Sequence, residues 1–106
     1  MTAKIFKVVY SPESIDDLRA IYLYIANELK EPETARKQID RIRSKIRGLD
    51  SFPGKYAKVE WAPWSDMDMR RISVDNYLVF YLVNNEKSEV TIVRVFYGGR
   101  DIPSHI

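Results

Sequence analysis

The chain has 106 residues, 45% of them hydrophobic and 30% charged, which describes one folded domain (residues 1–106) and excludes a disordered segment. There are no cysteines, which excludes disulfides and thiolate metal sites, and with one histidine no histidine-based metal centre, metal or cofactor is expected. No apolar run reaches the roughly 20 residues of a membrane span, and no signal-peptide core opens the chain, so a cytoplasmic protein is expected. A net charge of +2 permits a nucleic-acid partner without requiring one.

The elements follow in a clear order. Lys4 to Tyr10 reads as a short strand. Ser11-Pro12-Glu13 reads as a helix start, with Ser11 as cap, Pro12 at the first helical position, and Glu13, Asp16 and Asp17 at the positive dipole end. Ile15, Leu18, Ile21, Tyr22, Ile25 and Leu29 then recur at helical spacing and form one buried stripe. Lys30-Glu31-Pro32-Glu33 ends that helix and starts a second, whose Ala35, Ile39, Ile42, Ile46 and Leu49 keep the spacing to Asp50. So short a joint makes an antiparallel hairpin of helices.

Ser51-Phe52-Pro53-Gly54 breaks the chain. Tyr56 to Trp61 is expected as a strand and Ala62 to Asp66 as an irregular loop carrying Trp61, Pro63 and Trp64 near the sheet. Met69 to Val74 and Tyr77 to Val83 are strands joined at Asp75-Asn76, a two-residue hairpin signal. Asn84 to Ser88 turns into the last strand, which offers Val90, Ile92 and, after a local shift, Phe96 to one face. The expected fold is α+β: a first strand, a helical hairpin, then an antiparallel meander, with both helices on one sheet face and the first strand beside the meander.

The last strand closes in Tyr97-Gly98-Gly99-Arg100-Asp101. The glycines are expected to free the backbone, so that Arg100 stands on a strand-end rim, where a guanidinium suits phosphate or carboxylate. On the second helix Arg36, Arg43 and Arg47 share a stripe, and Lys37, Arg41 and Lys45 lie on the neighbouring outward face. That surface suits an acidic partner or DNA, and equally a solvated helix face. Trp61 and Trp64 suit a partner anchor or a plug at the end of the core.

Tyr10-Ser11-Pro12-Glu13 leading to Asp17-Leu18, then Ile21 and Tyr24-Ile25-Ala26, resembles the opening of the RelE/ParE superfamily of bacterial toxins. Leu49 with Phe52-Pro53-Gly54, Arg71-Ile72 before Asn76-Tyr77-x-Val79-Phe80-Tyr81, and Ile92-x-Arg94-Val95 before Gly98-Gly99-Arg100-Asp101 extend the resemblance over nearly the whole chain. It implies a toxin of a type II toxin–antitoxin pair (a plasmid stabilisation system), bound and silenced by a cognate antitoxin.

Members of that superfamily are ribosome-dependent mRNA endonucleases or poisons of DNA gyrase. In the nuclease reading, Arg71 and Arg100 clamp a phosphate without metal, and Tyr97 or His105 handles a proton. Arg100 and Arg71 match basic positions of those nucleases, but Leu78 and Met69 stand where further basic residues are usual, and the chain stops before a C-terminal catalytic helix. In the gyrase reading no acid, base or nucleophile is needed; Arg70, Arg71, Arg100, Trp61 and Trp64 form a binding surface. The long hairpin and short tail favour this branch. A non-toxic interaction domain is the third reading.

Overall fold

The computed structural model describes residues 4–98. Strand β1 (Lys7–Tyr10) leads into α1 (Pro12–Leu23), which widens into a π-helical turn (Tyr24–Glu28) before α2 (Pro32–Arg47). Strands β2 (Arg70–Val74), β3 (Tyr77–Asn84) and β4 (Glu89–Tyr97) follow. The sheet order is β1-β4-β3-β2, with β1 parallel to β4 and the other pairs antiparallel. The expected α+β architecture is therefore present, and the helical crossover is what allows β1 and β4 to run parallel.

Ser11 positions the first helix. Its Oγ accepts the Ser14 N–H at 3.0 Å and donates to the Val93 carbonyl at 2.8 Å, while its own N–H reaches the Ile92 carbonyl at 2.9 Å. One cap thus satisfies a helix-end donor and fastens α1 to β4. Lys30, at φ 56°, ends the first helix in the left-handed region, and Pro32 opens α2. From α2, Ala35, Ile42 and Ile46 are fully buried, and Leu49 in the 3₁₀ turn beyond it completes the stripe.

The sheet has a hydrophobic core on each face. Against the helices stand Ile72, Val74, Val79, Tyr81, Val90, Ile92 and Val95. On the other face Met69 and Phe80 meet Val59 and Trp64, flanked by Trp61, Leu78, Val93 and Phe96. A bulge connects the two patterns: Phe80 pairs with Arg94 and Tyr81 with Ile92, leaving Val93 as the extra residue. That is the local shift expected in the last strand, but it brings Val95 to the face of Val90 and Ile92 and sends Phe96 to the opposite one.

Two further expectations are corrected. Residues 56–61 make no strand; they contribute one bridge, Lys58 to Arg70, with Arg71 N–H donating to Ala57 and Val59 N–H to Met69. Pro53 and Gly54 hold the preceding residues in a 3₁₀ turn and the Trp64 loop starts soon after, so the segment lays only a short edge along β2. Gly98 does not release the chain through a left-handed backbone. It allows close approach, since its N–H donates to the Asn76 carbonyl at 2.7 Å and a Cβ would sit 3.2 Å from that oxygen.

Candidate functional surfaces

Arg70 and Arg71 are neighbours in β2, and a strand sends neighbours to opposite faces. Arg70 pairs with Tyr81 on the helix side, and its guanidinium donates to the Tyr56 carbonyl. Arg71 pairs with Phe80 on the other side and borders a groove at the outer edge of β2 with Lys45, Tyr56 and Ser73. The two arginines therefore do not converge. Tyr97 is exposed at the end of β4, its ring edge-on to Tyr77 at 5.5 Å. Arg100, Asp101 and His105 lie outside the described residues.

Trp61 and Trp64 do come together. A 3₁₀ turn, Trp64–Met67, is held by the Ser65 N–H on the Trp61 carbonyl and the Met69 N–H on the Trp64 carbonyl. It lowers Trp64 onto Phe80, ring centroids 4.6 Å apart, and leaves only 4% of Trp64 exposed. Trp61 stands 6.3 Å from Phe80, with its indole nitrogen buried and unpaired among the described residues. The aromatic loop is thus chiefly a core element, covering the sheet face that the helices leave open. Its partially exposed edge is Trp61.

The cations of α2 are dealt with individually. Arg36 pairs with Glu33 at 2.6 Å, and Arg41 grips Asp75 at the β2–β3 turn, where Gln38 also donates. Those two donors hold the Asp75 carboxyl below its ordinary range. Arg43 lies over the Tyr10 ring, 5.9 Å from its centroid. Lys45 and Arg47 have no carboxylate partner among the described residues. Between α1 and α2 runs an apolar groove floored by Tyr10, Ile15, Leu18, Tyr22 and Ile39, with Arg19 and Arg43 at its rim.

Two structurally decisive polar residues carry no tertiary role in the sequence reading. Asp17 on α1 receives Arg94 Nε at 2.8 Å, an Arg94 terminal nitrogen at 2.9 Å and the Val95 N–H at 2.9 Å. This bidentate pair raises the Arg94 pKa further above its ordinary range. Tyr81, fully buried, donates its hydroxyl to the Pro53 carbonyl at 2.6 Å, and burial pushes its pKa up. Asp17 is legible only as a helix-start acid, because its partners are 77 and 78 residues away. Among the described residues no group of three His, Cys, Asp or Glu side chains is placed to hold a metal ion, and no helix is long and apolar enough to cross a membrane.

The family described as ParE toxin of type II toxin–antitoxin system, parDE, matches residues 8–102. The chain belongs to the ParE toxin family. No curated protein matches the sequence. Among solved structures, this ParE-family chain resembles one from the chromosomal ParDE system of P. aeruginosa, with a TM-score of 0.74 at 18% identity over 90% of this chain and 98% of the other. The RelBE2 toxin–antitoxin complex of Mycobacterium tuberculosis gives 0.62 at 15% identity, over 88% and 91%. The archaeal RelE–RelB complex of Pyrococcus horikoshii gives 0.62 at 20% identity, over 92% and 99%. At these identities the structural likeness establishes a shared fold, and the family match makes the chain a type II toxin.

Proposed function

We propose that this ParE-family toxin acts in the cytoplasm by poisoning DNA gyrase and is silenced by a cognate antitoxin. The observation that carries the reading is the filled outer face of the sheet. Metal-free RNA cleavage needs cations and a proton donor converging on one phosphate. Here Trp64, Phe80 and Met69 occupy that face as a packed core, and Arg70 and Arg71 diverge from each other, only Arg71 standing on that face and Arg70 on the helix side. A gyrase poison needs only a shaped surface. We assign target contact to Arg71, Arg100 and the Trp61 edge of the aromatic loop, with Arg70 and Trp64 supporting them from within. The structural relatives come from a ParDE toxin–antitoxin system, a RelBE2 toxin–antitoxin complex and a RelE–RelB complex, and the apolar α1–α2 groove suits an amphipathic antitoxin helix whose acidic side chains would meet Arg19 and Arg43.

The test places the purified chain in a gyrase supercoiling reaction on plasmid DNA and, in parallel, on translating ribosomes with mRNA. Lost supercoiling or accumulated cleaved plasmid is expected, with intact mRNA. Arg100→Ala should weaken gyrase inhibition while antitoxin binding and the thermal midpoint hold. Codon-periodic mRNA cuts would overturn the reading and transfer Arg71, Tyr97, Arg100 and His105 to catalytic roles.

A further inference from the structure

Charge on this molecule is unevenly spread. Helix α2 carries six cations against two carboxylates, whereas α1 carries Glu13, Asp16 and Asp17 against Arg19 alone. Four cations elsewhere are neutralised locally, Arg19 by Asp16, Arg36 by Glu33, Lys58 by Asp68 and Arg94 by Asp17, and Lys7, Lys30 and Lys87, which have no carboxylate partner among the described residues, stand on separate elements. One flank is different. Arg43 and Arg47 border a shallow depression on the outer side of α2 with Ser44. Ser44 also borders the next groove, with Lys45 and Lys55. Lys45 in turn borders the groove at the β2 edge that holds Arg71. Shared walls make these one continuous band.

None of Arg43, Lys45, Arg47, Lys55 and Arg71 has a carboxylate partner among the described residues. The carboxylates bordering the band are Asp40 and Asp75, and Asp75 is already held by Arg41 and Gln38. The cations repel one another in the free chain, and a polyanion would relieve that repulsion. We infer that this band, from the C-terminal half of α2 to the edge of β2, is a docking surface for the phosphate backbone of duplex DNA. It shares Arg43 with the antitoxin groove but differs from it in chemistry, because its large ring, Tyr56, is half-buried with Lys55 over it, 5.2 Å from the centroid. The other apolar side chains along it, Ile72, Val74 and Leu78, are buried or half-buried, so an apolar helix has little to bury there, and a single strand has no open aromatic platform on which to stack bases. A duplex needs neither. It presents a phosphate charge every ~1.7 Å of axis, so Arg43 and Arg47, about 6 Å apart along the helix, meet phosphates in any register.

The inference goes beyond gyrase poisoning and does not depend on it, because the test contains no gyrase. Anisotropy of a short labelled duplex is followed as the purified full-length chain is added, between about 50 and 200 mM salt. Binding should be indifferent to sequence and should weaken steeply with salt. The triple variant Arg43→Gln/Lys45→Gln/Arg47→Gln keeps good helix formers; it should lose about tenfold or more at low salt and flatten the log–log salt slope by about 2–3. Lys7→Gln/Lys30→Gln/Lys87→Gln removes the same charge elsewhere and should behave as the parent chain. Far-UV circular dichroism of both variants confirms the fold. Absent binding at low salt, equal losses in the two triple variants, tighter binding to single-stranded DNA or RNA of the same length, or displacement of the duplex by polyglutamate at equal charge concentration would each overturn the assignment.

Discussion

Asp17 shows how much one side chain holds in this fold. Strand β1 stops at Tyr10 opposite Ile92, so beyond that point β4 has no neighbouring strand on its outer side. The Asp17 carboxylate takes over, accepting the Val95 N–H that a longer β1 would have paired and both prongs of Arg94. Asp17 and Arg94 keep side-chain exposures of 15% and 23%, so solvent screens the pair far less than a surface bridge. Asp17→Asn keeps the shape but removes the charge that satisfies a guanidinium and an amide. It should cost about 1.5–3 kcal/mol, the range for a hydrogen bond to a charged group, read as a lower urea midpoint at unchanged slope. A loss below about 0.5 kcal/mol would class the bridge with inert surface pairs. Nothing local announces this role, since a helix-start acid is already accounted for by the dipole and Arg94 reads as an ordinary strand residue.

At the level of elements, what the sequence discloses depends on whether a period is uniform. The spacing of Ala35, Ile39, Ile42 and Ile46 gives the buried face of α2 directly, and Ile42 and Ile46 have no exposed surface. Ile42→Asp places an unpaired charge where nothing can solvate it, at about 4–5 kcal/mol or more, a large part of the 5–15 kcal/mol that holds a typical domain together. The variant should be largely unfolded by circular dichroism, while Arg43→Asp on the exposed side should stay within about 0.5 kcal/mol. A folded Ile42→Asp would refute the orientation of the helix. Strand β4 is harder to read because its period breaks. The bulge at Val93 resets the alternation, so a strict period of two misplaces Phe96. Residues 56–61 mislead in the opposite way: Val59 and Trp61 look like strand residues, but Val59 packs under the aromatic loop, Trp61 forms that loop's edge, and the segment pairs with β2 at a single bridge, Lys58 to Arg70.

Across the whole molecule the sheet is a wall between two cores, and β3 links them: Phe80 and Tyr81 are consecutive, both fully buried, in opposite clusters. The helix-side core is legible from helical periodicity. The second core is not, because Val59, Trp64, Met69 and Phe80 come from separated stretches and an irregular turn. This arrangement places useful probes on either side. Both tryptophans, Trp61 and Trp64, stand on the far face, whereas the helical ellipticity comes from α1 and α2 on the near one. If β3 couples the cores, tryptophan fluorescence and the 222 nm signal should trace one urea transition with a common midpoint, as a two-state domain requires. Trp64→Ala removes the ring packed on Phe80, at about 3–5 kcal/mol for a buried aromatic. It should move both the near-side helical signal and the remaining Trp61 fluorescence to the same lower midpoint. Were fluorescence to fall first while helicity persisted, the far-side core would be a separately melting cover. The sheet would then transmit little between its faces, and a partner at the Trp61 edge would be felt locally rather than in the helices.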